Sequence, residues 1–245
     1  MCVYSELWAT NCFGALFSGD NMLVGGLPTE IGLLSTLNFL DLSGNFIDET
    51  IPSELFSASS PLEELLLSGN ELTGNIPSEF GLATNLLVVD LGGNELSGEL
   101  EDVPFDNDAS YMLRELWLNN NEFEGSLPPE LSALSDLEYL NLSENSFTGT
   151  LPSELASLES LKRLIMFNIE LEGSVPLEFG LLEDFEVAEL QGSGLTEVEE
   201  ALCGSDGSRS VKYTLIASCA GDPPAVACSC CTHCCDEFNC YQVGI

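Results

Sequence analysis

Positive charge is what this chain has least of: five Lys and Arg stand against 41 Asp and Glu, a formal net charge of −36 at pH 7 over 245 residues. Phosphate backbones and anionic lipid surfaces are bound by neutralising them with Lys and Arg, so nucleic acid and acidic membranes are poor partners. Cations and basic proteins or peptides suit such a surface; the same charge also keeps a repetitive protein soluble. Histidine is scarcer still. The single one, His233, sits among cysteines, which leaves no Ser-His-Asp or Cys-His system elsewhere. Carboxylate pairs are too abundant for any one to stand out for glycosidase-like chemistry. No Gly-rich phosphate loop is present, and no cofactor is implied. No apolar run reaches the ~18 residues that span a bilayer. No charged segment followed by an apolar stretch precedes Cys2, so no secretory signal is visible.

Cysteine is missing from the middle of the chain. Ten are present: Cys2 and Cys12, then Cys203, Cys219, Cys228, Cys230, Cys231, Cys234, Cys235 and Cys240. An even number confined to the two ends predicts disulfide-stapled termini in an oxidising compartment, hence an extracellular or cell-surface protein. Connectivity is not readable from spacing. Zinc is the alternative, since Cys231, His233 and Cys234 are ligand types it takes. Two vicinal pairs and a lone His match no familiar zinc spacing.

What is abundant is a repeat. The pattern L-x-x-L-x-L-x-x-N-x-L begins at Phe13, Leu37, Leu62, Leu86, Leu113, Leu137, Leu161 and Phe185, at intervals of 24, 25, 24, 27, 24, 24 and 24 residues. Eight near-regular copies predict a solenoid. Positions 4 and 6 are apolar between polar neighbours, the period of a strand with one buried face. Asn21, Asn45, Asn70, Asn94, Asn121 and Asn145 occupy position 9, where an amide can bond backbone groups at the turn and stack into an asparagine ladder. Gly at position 13 permits a tight turn, and an aliphatic-Pro pair then starts a return segment expected to hold a short helix. One coil cannot bury enough surface alone, so the coils must stack and the ends must be capped.

The segment Leu72-Thr73-Gly74-Asn75-Ile76-Pro77 and its equivalents resemble the L-x-G-x-I-P signature of plant-type leucine-rich repeats. The resemblance covers about residues 13–195. It implies an α/β repeat solenoid, a right-handed superhelix with a concave parallel β-sheet, and a receptor-ectodomain-like function or inhibition of a secreted hydrolase. Cys2, Trp8 and Cys12 look like a shortened form of that family's N-terminal cap. The cysteine-dense C-terminus is more similar to the ends of algal, especially diatom, leucine-rich-repeat proteins. The expected organisation is an N-terminal cap over 1–12, about eight repeats over 13–202 and a disulfide-rich cap over 203–245.

In such a fold positions 2, 3, 5, 7 and 8 of each repeat face the concave side. Three of the five basic residues fall there, Arg114, Lys162 and Arg163, with the aromatics Phe17, Phe39, Trp117, Tyr139 and Phe167. Acidic residues surround them, among them Asp41, Glu63, Glu64, Asp90, Glu115, Glu138, Glu186 and Glu189. Exposed aromatics with Arg and Lys on consecutive strands have the composition of an interaction hot spot. Arg114, Trp117, Tyr139, Lys162, Arg163 and Phe167 are therefore the candidate contacts for a protein, peptide or glycan ligand. The competing account is that the three basic residues only pair with carboxylates across strands. A competing function is an acidic cell-wall or matrix protein whose surface binds divalent cations.

Four further features stand out. Asn141-Leu142-Ser143 is an N-glycosylation sequon, and a glycan at Asn141 would crowd the candidate patch. The fourth repeat lacks Ile-Pro and reads Gly98 to Asp108 with an acidic run, which predicts a bulged loop. Calcium through Asp102, Asp106 and Asp108 is conceivable there, though the spacing matches no EF-hand. Six repeats place Glu at position 18 (Glu30, Glu54, Glu79, Glu130, Glu154, Glu178), where a helix N-terminus favours it and a preceding Ser or Thr can cap. In the seventh and eighth repeats Ile169 and Ser193 replace the ladder Asn.

Overall fold

A computed structural model describes residues 14–105, 110–196 and 202, together with the backbone of three strands within 214–218, 233–235 and 240–242. Each repeat contributes one short strand to a long sheet. These are β1 (Ala15–Phe17), β2 (Phe39–Asp41), β3 (Glu64–Leu66), β5 (Val88–Asp90), β7 (Glu115–Trp117), β9 (Tyr139–Asn141), β11 (Arg163–Ile165) and β12 (Val187–Glu189). They are parallel and pair in unbroken order. Register is uniform, so equal repeat positions sit opposite each other, as in Phe39↔Glu64↔Val88. The sheet runs on past residue 202. There β13 (Thr214–Ser218) pairs with β12 and β14 (His233–Cys235) with β13, both parallel, while β15 (Cys240–Gln242) is antiparallel.

The flank carries a second sheet absent from the sequence reading. Its strands are β4 (Thr73–Gly74), β6 (Glu95–Glu99), β8 (Glu122–Ser126) and β10 (Ser146–Thr148), all parallel. The Gly at position 13 takes the left-handed turn expected of it, at Gly74, Gly98, Gly125 and Gly149, for example. A second left-handed position was missed. Position 8, assigned above to the binding face, is a turn in every coil, with φ of 53° at Asp20 and Asn120 and 55° at Glu144. Gly or Asn fills most of these sites because a Cβ is crowded there.

The asparagine ladder is present. Asn70 Oδ1 accepts from Ile47 N–H at 3.0 Å, while its amide donates to Leu42 O at 3.0 Å and Leu67 O at 2.9 Å. Asn45, Asn94, Asn121 and Asn145 repeat this pattern. Each side chain thus ties its own coil to the preceding one. At Ile169 the rung is apolar and buried, and Ser193 bonds only within its own coil, to Leu190 O and from Leu195 N–H.

Two expectations are corrected. The short helices of the return segments within 14–196 are 3₁₀ turns of three to five residues, as in Thr29–Leu33 and Ser153–Ser157, and the Ser or Thr expected to cap them does not. The residue at the cap position is Pro in six of them, and no side chain caps its N-terminus. A 24-residue coil leaves no room for a longer helix, and Pro sets the entry φ without a donor to lose. The fourth repeat does not simply bulge. Through Phe105 it folds inward, burying Leu100, Val103 and Phe105. Phe105 joins an edge-to-face series with Phe80 (6.1 Å) and Tyr111 (6.0 Å), and Tyr111 Oη donates to Gly81 O at 2.9 Å. Gly81 is required beneath it: a Cβ there would stand 2.4 Å from Pro104 O. Aromatic packing supplies the apolar return that the missing Ile-Pro does not.

Asp106 and Asp108 lie outside the described residues. Among those described, no group of three or more His, Cys, Asp or Glu is placed to hold a metal ion. The disulfide candidates Cys2, Cys12, Cys203, Cys219, Cys228, Cys230 and Cys231 also lie outside them. Of Cys234, Cys235 and Cys240 only the strand backbone is described. No described helix is long and apolar enough to cross a membrane.

Candidate ligand-binding face

Alternation along each strand sends positions 4 and 6 into the core and leaves 3, 5 and 7 on the sheet's outer face, while position 2, just before the strand, stays at least partly exposed. All three described basic residues are on that face: Arg163 on β11, and Arg114 and Lys162 just before β7 and β11. The structure brings the six candidates together unequally. Trp117 and Tyr139 are diagonal neighbours, because Trp117 pairs with Asn141 and Tyr139 with Glu115. The Trp117 indole N–H donates to Glu115 Oε2 at 3.1 Å, which fixes the ring. The Arg163 guanidinium lies over the Tyr139 ring, 5.7 Å from its centroid. A contact of this kind at an exposed site contributes about 0.5–1 kcal/mol. Trp117 and Tyr139 are half-buried and Arg163 is exposed.

Lys162 behaves as the competing account expects. It is ion-paired and hydrogen-bonded to Glu138, with Glu186 on the next strand also near. The hydrogen bond to Glu138 holds the Lys162 ammonium above its ordinary pKa; partial burial opposes this, and the charges of Glu138, Tyr139 and Glu186 add to it. Backbone bonds link Arg114, Glu138, Lys162 and Glu186 on successive coils, so position 2 alternates in sign there. Arg114 is exposed beside Glu138. Phe167 lies at position 7, two residues beyond Ile165 on the same coil, and is half-buried. The patch is therefore a tight centre of Trp117, Tyr139 and Arg163, with Arg114, Lys162 and Phe167 at its margins.

Asn141 is buried on this face. Its Oδ1 accepts from Ser143 N–H (3.1 Å) and Ser143 Oγ (2.6 Å), and its amide donates to Asn119 Oδ1 at 3.1 Å. The amide nitrogen that a glycan would occupy is thus engaged, and Ser143 is fully buried.

A regularity emerges from the register. Down the sheet, position 5 reads Phe17, Asp41, Leu66, Asp90, Trp117, Asn141, Ile165, Glu189, apolar and polar by turns. Position 3 is out of phase: Phe39, Val88, Tyr139 and Val187 are apolar on the coils where position 5 is polar. Glu64, Glu115 and Arg163 are charged where it is apolar. The result is a checkerboard with a continuous apolar zigzag. Phe17 and Phe39 begin it with ring centroids 4.5 Å apart, Phe17 being 69% exposed. On the polar coils the position-5 side chain accepts from the N–H two residues on, at Ser43 and Gly92 as at Ser143. A self-comparison at two repeats, about 50 residues, carries this signal; comparison at one repeat averages it away.

A family model described as Leucine Rich Repeat matches residues 36–58, 61–82, 112–134 and 136–158. No curated protein matches the sequence. Among solved structures, a plant peptide hormone receptor, RGFR1 in complex with RGF2, superposes with a TM-score of 0.70 at 26% identity, over 83% of this chain and 33% of that one. The Arabidopsis receptor kinase HAESA, solved with the peptide hormone IDA and the co-receptor SERK1, gives 0.77 at 23% identity over 98% and 41%, a likeness of fold. A leucine-rich-repeat protein of Leptospira interrogans gives 0.60 at 25% identity over 84% and 54%. This chain thus carries leucine-rich repeats in the parallel-sheet solenoid that plant receptor ectodomains share, and spans well under half the length of the two plant receptors.

Proposed function

We propose that the chain is a non-catalytic, extracellular or cell-surface recognition module that binds a protein or peptide on the outer face of its long sheet. The observation that carries this is the Trp117, Tyr139 and Arg163 centre. On a surface otherwise short of positive charge, two half-buried aromatics are held in place by a hydrogen bond and a cation–π contact. Aromatic and Arg anchors of low residual entropy are what interface hot spots use. The likeness to RGFR1, a plant peptide hormone receptor, supports a peptide over a glycan. Asn141, held by its bonds to Asn119 and Ser143, would stay unmodified and leave the centre open. The immobilised chain, incubated with proteins secreted by its source, tests the reading. Trp117→Ala with Arg163→Ala is expected to abolish capture, while Glu130→Gln on the return side leaves it unchanged. Equal capture by the double variant would refute it.

A further inference from the structure

Resting on that reading, the two-coil checkerboard identifies the shape of the ligand. Neighbouring strands stand about 4.7–4.9 Å apart, so apolar positions in one column recur every 9.4–9.8 Å or so. A polyproline II segment returns a side chain to the same face every three residues, about 9.3 Å. An extended strand does so every ~6.8 Å and drifts out of phase within one step. An α-helix, with a pitch of about 5.4 Å, overshoots by roughly 1 Å at every second turn. The polyproline II period alone stays in step over the length of the sheet. The backbone groups of these strands are spent on their own ladder, so strand addition is closed to a ligand on this face. A polyproline II chain needs no backbone partners and docks on aromatic surfaces through side chains.

Charge supplies the rest of the chemistry. From the second to the fifth coil the polar squares of the checkerboard are carboxylates: Asp41 and Asp90 at position 5, Glu64 and Glu115 at position 3. They share the two-coil period. The pattern stops at Asn141 and reverses at Arg163, and Ile165 is only 9% exposed, covered by its neighbours. We infer that the outer face from β1 to β9 binds a proline-rich segment in the polyproline II conformation with Lys or Arg at every third residue, running across the strands. Its apolar residues lie on the zigzag from Phe39 to Tyr139, and its basic residues meet the four carboxylates.

Synthetic 15-residue peptides, two of equal positive charge and one of the opposite charge, test this by titration into the full chain, read by tryptophan fluorescence and calorimetry. Repeats of Pro-Pro-Lys are expected to bind at least about tenfold more tightly than repeats of Ala-Ala-Lys, while Pro-Pro-Glu repeats do not bind. The double variant Leu66→Asp with Asp90→Leu keeps composition and charge but breaks the phase, and should weaken Pro-Pro-Lys by a similar factor. Circular dichroism confirms that it is folded; if it is not, Glu64→Val with Val88→Glu makes the same break on the other column. Equal binding of the proline and alanine peptides, or full binding by a folded phase variant, overturns the inference. Were that result obtained while native capture still depended on Trp117 and Arg163, the recognition reading would stand and only the ligand class would fall.

Discussion

Replacing Asn94 by alanine removes one rung of the ladder at the centre of the solenoid. Asn94 Oδ1 accepts from Leu72 N–H at 3.1 Å, and its amide donates to Leu67 O at 3.1 Å and Leu91 O at 3.0 Å. The substitution takes the side-chain partner from a buried N–H, which costs about 1–3 kcal/mol, and removes two bonds to carbonyls, each contributing about 0.5–1.5 kcal/mol net. The loss is therefore about 2–6 kcal/mol, a large share of the stability of an ordinary domain, ~5–15 kcal/mol. Because the side chain spans two coils, the damage falls on the contact between neighbours, the term that makes a repeat array unfold as one. Urea titration followed by circular dichroism should show an earlier midpoint and a broadened or split transition. The native rung at Ile169, already apolar, is the control: Ile169→Ala removes buried methylenes but no hydrogen bond, and should lower the midpoint without splitting the curve. A change below about 0.5 kcal/mol for Asn94→Ala would show that the ladder is ornamental and that stacking alone holds the coils.

Added salt should raise the melting temperature. Glu30, Glu54 and Glu79 are exposed on successive return turns, about one strand spacing apart and inside the ~8 Å screening length at physiological salt; a melting curve flat from low to molar NaCl would refute this. Lys162 has a raised pKa in the folded chain, so the Glu138 pair stabilises below the ordinary lysine pKa and is lost as pH rises through the folded value. Lys162→Met should accordingly flatten the alkaline end of the stability profile, and an unchanged alkaline limb in this variant would remove the pair as its cause. Glycopeptide mass spectrometry of protein from the native source should find Asn141 unmodified, since its amide bonds Asn119. Full occupancy there would mean that the outer face does not have this arrangement.

Much of the fold was legible from residue types at fixed intervals, because each side chain in a solenoid meets its own equivalent on the next coil. The strand, the ladder and the turn at position 13 all follow from one coil's pattern. The second sheet was not legible, since its strands are as short as two residues and carry at most one buried apolar side chain each, Leu96, Phe123 or Phe147, too few to show strand alternation. The left-handed turn at position 8 was hidden among polar residues that suit a binding face equally well. The inward fold of the fourth repeat depended on Phe105 and Tyr111 finding Phe80 and Gly81, residues of the preceding coil.

For the site, the composition named six residues, and packing separated them. Lys162 is tied to Glu138, Arg163 rests on Tyr139, and Trp117 is pinned by Glu115. No reading along the chain distinguishes a basic residue that pairs with a carboxylate from one that covers a ring, because the choice is between partners 24 residues away on an adjacent strand. The repeat follows from local pattern and the need of each coil for a neighbour, and it holds for any stacking in register. The checkerboard, by contrast, exists only once that register is set: it is a relation between columns on facing strands, and tertiary pairing alone brings those columns side by side.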